Sequence, residues 1–139
     1  MEIQQMTNLA LKAVDQYQSA DNSSIEYADP HELILRLMNG AIERIAQAKG
    51  AIQHGTVKQK GECIGKAISI IGGLDGCLDH SHEGDLSNNL SALYEYMIIS
   101  LTQANISDDI AKLNETSDLL FEIKSAWEQI PEYARSTGV

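Results

Sequence analysis

The sequence predicts an all-α protein, on three observations. Only two prolines occur in 139 residues, aromatics make up just 5% of the chain, and the apolar residues, mostly Leu, Ile and Ala, recur every three or four positions. The length suits one hydrophobic core and is short for two, so residues 1–139 read as a single domain. The expected architecture is an antiparallel up-down four-helix bundle over residues 29–130, with an additional, mobile N-terminal helix over residues 1–18.

The N-terminal helix rests on Ile3, Met6, Leu9, Ala10, Ala13, Val14 and Tyr17, which share one stripe. Residues 19–28 read SADNSSIEYA, whose short polar side chains compete for backbone hydrogen bonds and predict a connection. Asp29, Pro30 and Glu32 then form a start signal: an Asp cap, Pro at the first helical position and Glu three residues after the cap. The second helix carries Leu33, Ile34, Leu37, Met38, Ala41, Ile42, Ile45, Ala48 and Ile52 and should stop at Gly55. Thr56 with Gln59 predicts a capping box for the third helix, which carries Val57, Ile64, Ala67, Ile68, Ile71, Leu74 and Leu78 and should end near Asp79. After the polar connection at 80–85, Asp85 or Ser87 should cap a fourth helix with Leu86, Leu90, Leu93, Tyr94, Met97, Leu101 and Ala104. Ser107 or Asp108 should cap a fifth, with Ile110, Leu113, Leu120, Ile123 and a largely buried Trp127, ended by Pro131.

Two features exceed the needs of a plain bundle. The third helix contains Gly65, Gly72, Gly73 and Gly76, each costing about 1 kcal/mol relative to Ala in a helix interior. Either these glycines allow close helix packing or they let the helix bend for a ligand. The apolar stripes are also wide: at about 100° per residue the second helix is apolar over roughly 200°, taking in Leu35 and Ile42. The fourth is apolar over a similar arc that reaches from Tyr96 to Ile98, with Ile99 beyond. Either the N-terminal helix or a partner covers the surplus.

Composition and spacing argue against most chemistries. The net charge is −10 with no Lys/Arg cluster, which argues against nucleic acid and anionic membranes. Neither a signal peptide nor a stretch of about 20 apolar residues occurs, so the expected location is the cytoplasm, with no membrane insertion. No Glu-x-x-His occurs, so a dinuclear metal site is not expected. His80, His82, Glu83 and Asp85 have no recognised ligand spacing and read as a turn, so no metal and no cofactor is expected. His31, His54, His80 and His82 fall at helix ends or connections, which does not suit phosphotransfer, and no nucleophile motif supports an enzyme. Cys63 and Cys77 sit roughly 21 Å apart along one helix, too far for a disulfide, and read as small core residues.

The segments DPHELILRLMNGAIERIAQAK (29–49) and NLSALYEYMIISLTQAN (89–105) resemble the two signature segments of the flagellar secretion chaperone FliS family. The likeness extends to KAISIIGGLDGCLD (66–79), to Ala126 and Trp127, and to Tyr17 and Gln18, so it covers nearly the whole chain. The chain departs from the family pattern at Met38, Asn39 and Gly40, where Tyr or Phe followed by Asp-Gly is frequent. It departs again at Glu83, Gly84 and Asp85, where Gly-Gly-Glu is frequent. The resemblance implies a four-helix export chaperone that binds the disordered C-terminal segment of flagellin, prevents its premature polymerisation and delivers it to a component of the flagellar type III export gate. An N-terminal Ile/Val-x-x-Tyr element of the family contributes to the flagellin site, and Val14 and Tyr17 match it here.

The candidate flagellin-binding residues are therefore Val14 and Tyr17, joined by Leu37, Met38, Ile64, Ile68, Ile71, Tyr94, Met97 and Leu101 of the wide stripes. A disordered ligand that orders on binding must recover its lost entropy from a long apolar surface, which such stripes offer. For each stripe residue the competing reading is ordinary core. For the whole chain the competing function is a small regulatory bundle that sequesters a regulator such as an anti-sigma factor, and capture of flagellin from flagellated cells separates the two.

Overall fold

The computed structural model describes residues 30–79 and 85–131, and among them the fold is four α-helices with no strand. These are α1 (Pro30–His54), α2 (Val57–Gly76), α3 (Leu86–Ser107) and α4 (Ile110–Glu128). The expected N-terminal helix at 1–18, the connection at 19–28, the Asp29 cap and most of the 80–85 turn lie outside the described residues.

Each helix packs mainly on two others, in the cyclic order α1, α2, α3, α4 and back to α1. The side chains enclosed by that ring form one core, built from Leu33, Ile34, Leu37 and Ile45 of α1, Ile64, Ile70, Ile71 and Leu74 of α2, Tyr94, Met97 and Leu101 of α3, and Leu113 and Leu120 of α4. Burial of this apolar surface at about 25 cal/mol per Å² is the main term holding the helices together. Polar contacts join helix ends. Lys60, early in α2, donates to the Asn105 carbonyl at 2.9 Å and pairs with Asp108 at 2.6 Å, both at the end of α3. Ser87, early in α3, donates to the carbonyl of Asp79, just past α2, at 2.6 Å. Lys49, late in α1, reaches Asn114, early in α4, at 2.9 Å.

The end of α1 is as expected. Gly55 has φ +73°, and the Gly55 and Thr56 amides close on the carbonyls of Ile52 and Ala51. That pair of bonds satisfies two terminal carbonyls and needs a left-handed residue, which Gly supplies without a Cβ penalty.

Three assignments at helix ends are corrected. Thr56 occupies the cap position of α2 but makes no side-chain cap bond, so the Thr56–Gln59 box does not form. Asp85, one of the two caps expected for α3, does hold the cap position there, without a side-chain cap bond, while Ser87 bonds Asp79. The cap of α4 is Asp109, which accepts from the Lys112 amide, while Asp108 ends α3 with φ 55°. Asp tolerates the left-handed conformation better than most side chains, and the Lys60 pair holds it there. Finally, α2 ends at Gly76 rather than near Asp79.

Close packing does not explain all the α2 glycines. Gly65 and Gly72 are exposed, and a Cβ at either would meet nothing within 4 Å. Gly65→Ala and Gly72→Ala are each expected to stabilise the protein by about 1 kcal/mol, from helix propensity with no clash to offset it. Urea unfolding measures this, and a loss of stability would show that α2 needs glycine for itself.

Trp127 is covered over most of its surface and packs against the core from its edge. Its indole stacks on His31 with centroids 5.1 Å apart and planes 12° apart. Two further bonds lock the pair: Trp127 Nε1 donates to the His31 carbonyl at 3.0 Å, and His31 Nε2 lies 2.8 Å from the Trp127 carbonyl. A carbonyl can only accept, so Nε2 carries a proton. Residues 96 apart in sequence thus fasten the start of α1 to the end of α4.

Candidate functional site

Of the sequence-derived site residues, the structure gathers seven on the inside. Leu37, Met38, Ile64, Ile71, Tyr94, Met97 and Leu101 are each at most 3% exposed and belong to the core. Ile68 is half-buried and packs against that core from the edge. Val14 and Tyr17 lie outside the described residues.

No chemistry of bond-making is set up among these side chains. Burial pushes the Cys77 thiol up to about 11, so it stays protonated and is a poor nucleophile. Burial, helped by Cys77 and Asp75, also raises the Tyr94 phenol. Neither cysteine forms a disulfide, and the Cys63 thiol lies 3.7 Å from Gln47 Oε1. Among the described residues no group of three or more His, Cys, Asp or Glu could hold a metal ion, and no helix is long and apolar enough to cross a membrane.

The unusual feature is on the outside of α3. Seven large apolar side chains are exposed among the described residues, and five of them lie on this helix: Tyr96 (45%), Ile99 (56%) and Ile106 (81%) on its outer side, and Leu86 (73%) and Leu93 (36%) in its first turns, along the row of the buried Met97 and Ala104. The same 22-residue helix carries a single charged residue, Glu95, in a protein that is 22% charged. An ordinary solvent face would be charged, whereas contiguous exposed apolar surface marks an interaction site. The width of the fourth predicted stripe at Tyr96 and Ile99 was the legible signal for this face. Ile106 carried none, because it stands among polar residues at the helix end.

By contrast, the surplus expected on α1 is largely covered. Leu35 and Ile42 are half-buried, and Ile42 packs on the core.

A fold of this kind, with an apolar outer face and no reactive constellation, fits a protein that holds another polypeptide. A family model described as Flagellar protein FliS matches residues 13–134. The chain belongs to the FliS family. It is similar to flagellar secretion chaperone FliSB of Pseudomonas aeruginosa, 49% identical over 122 residues, which span 87% of this chain and 97% of that protein. It is also similar to flagellar secretion chaperone FliS of Vibrio cholerae, 44% identical over 84% of this chain and 87% of that protein. A third relative, flagellar secretion chaperone FliS of Salmonella typhimurium, is 42% identical over 78% of this chain and 81% of that protein. The FliS family is a family of chaperones and is not enzymatic, so the general role is that of a flagellar secretion chaperone with a flagellar export substrate as partner.

Proposed function

We propose that this FliS-family protein works in the cytoplasm, binds the disordered C-terminal segment of flagellin, prevents its premature polymerisation and delivers it to the flagellar type III export gate. The observation that carries this reading is the apolar outer face of α3, where Glu95 is the one charged residue of the helix, available on a family of secretion chaperones. We further read the bundle as up-down and antiparallel, which the contacts between the start of one helix and the end of the next support. We read residues 1–139 as one domain.

In this reading the substrate meets Val14 and Tyr17, the half-buried Ile68 and the outer side of α3. Leu37, Met38, Ile64, Ile71, Tyr94, Met97 and Leu101 form the inner wall that holds those elements in place, and the substrate reaches them only as the helices part. Each fully buried Leu or Ile anchor contributes about 1.5–3 kcal/mol, so several suffice for a micromolar or tighter complex even after the ordering cost. Calorimetric titration with a synthetic peptide of the flagellin C-terminal segment is the test. One-to-one binding that weakens in a Val14→Ala, Tyr17→Ala double variant of unchanged melting temperature is the expected result. Absence of binding by the wild-type protein at 100-fold above micromolar concentration (about 0.1 mM) would overturn the function.

A further inference from the structure

We infer that the end of α2, from Gly72 through Leu78, unwinds on its own while the rest of the bundle stays folded, opening the core beside Tyr94. The inference concerns the protein without a partner, so it stands or falls independently of the function proposed above.

Features that weaken a helix converge on this segment. Three of the five residues from 72 to 76 are glycine, the least favourable residue in a helix interior after proline. The exposed Gly72 gains no close packing in return, because a Cβ there would meet nothing within 4 Å. Asp75 stands in the last turn, where the negative end of the helix repels a carboxylate. Its Oδ1 is buried and has no hydrogen-bond partner among the described residues, and such burial costs stability unless a donor meets it. The hydrogen-bond ladder also loosens here. The Cys77 amide is shared between the carbonyls of Gly73 and Leu74, both at 3.1 Å, and the Leu78 amide donates to the Asp75 carbonyl at 3.2 Å, only three residues back.

Against these features stands the burial of Leu74, Cys77 and Leu78, each at most 8% exposed. Tyr94 of α3 lies beside them: burial raises its phenol, and Cys77 and Asp75 add to the shift, which places both close to it. Unwinding gives up that apolar contact, and in return frees the glycine backbone and brings water to the Asp75 carboxylate. Nearer the start of the helix the balance differs. Lys60 ties the first turn of α2 to the end of α3 by two bonds, and Ile64, Ala67 and Ile71 are fully buried. Opening therefore begins at the Leu78 end and stops at Ile71. Of the two cysteines, Cys63 lies in the held part and Cys77 in the part that opens.

Labelling of the native full-length protein with N-ethylmaleimide tests this, each thiol being followed by peptide mass spectrometry and scaled to its rate in the urea-unfolded chain. Cys77 should label at least about tenfold faster than Cys63. Static exposure predicts the reverse order, since Cys77 is 3% exposed and Cys63 6%. Gly72→Ala should slow Cys77 about fivefold, because the helix propensity it adds counts only while the segment is wound. Asp75→Ala, which removes the buried oxygen and the charge, should slow Cys77 by a similar factor. Gly65→Ala is the control: position 65 stays helical in the open form, so this change should slow Cys63 and leave Cys77 within about twofold of the wild type. Cys63 labelling as fast as Cys77 or faster, or a Cys77 rate that Gly65→Ala lowers as much as Gly72→Ala does, would tie both thiols to unfolding of the whole bundle and overturn the inference.

Discussion

Replacing Trp127 with alanine is expected to cost about 3 kcal/mol, or roughly 10 °C in melting temperature. The figure is at the lower end for a lost tryptophan because the ring keeps some exposure at the edge of the core, but the substitution removes more than area. The indole stacks on His31 and donates to the His31 carbonyl, while the His31 ring is hydrogen-bonded to the Trp127 carbonyl. Trp127→Phe should keep most of the stacking and lose the Nε1 bond, costing about 1 kcal/mol. His31→Ala combined with Trp127→Ala should cost about 1 kcal/mol less than the two separate losses, because both remove the same contact. Urea unfolding of the wild type and the four variants gives all these values. Strict additivity would show that the two residues act independently and that the clasp is a geometric coincidence.

Leu101→Ala should cost about 3 kcal/mol or more, since Leu101 is fully buried at the centre of the ring and its truncation leaves a cavity between α3 and its neighbours. This substitution also separates two roles that sequence alone leaves open for such a residue. If Leu101 belongs to the inner wall, affinity for the flagellin peptide, measured well below the melting temperature, should change less than about threefold while stability falls. A variant with an unchanged melting temperature and lost binding would make Leu101 ligand surface, and the burial described above would then belong only to the unbound protein.

Much of the fold is readable in order along the chain because it rests on local chemistry. Pro30 permits a helix start, Gly55 supplies a positive φ at the end of α1, and apolar residues three and four apart make each helix amphipathic. Caps were less readable. Ser107, Asp108 and Asp109 are adjacent and all suited to the role, and the choice fell to Asp109 because Asp108 takes the left-handed position that Lys60 stabilises from another helix. Thr56 and Ser87 are likewise good caps by type, yet Thr56 makes no cap bond and Ser87 bonds Asp79.

The His31–Trp127 clasp had no signal in the sequence at all. By sequence His31 is a histidine at a helix end and Trp127 is core, and each description omits a partner 96 residues away.

What the sequence determined by itself is the all-α class, the four helical stretches, the absence of a catalytic motif and the resemblance that family membership bears out. Those properties follow from residue type and short-range spacing, which act within a few turns of one helix. Only the tertiary structure decided which apolar residues are core and which are surface. Met97 and Ile99 are two positions apart on one helix and similarly apolar, yet one is fully buried and the other 56% exposed. The hydrophobic effect acts on area without direction, so an apolar side chain carries no mark of what will cover it. That depends on where α2 and α4 come to rest beside α3, which long-range packing sets.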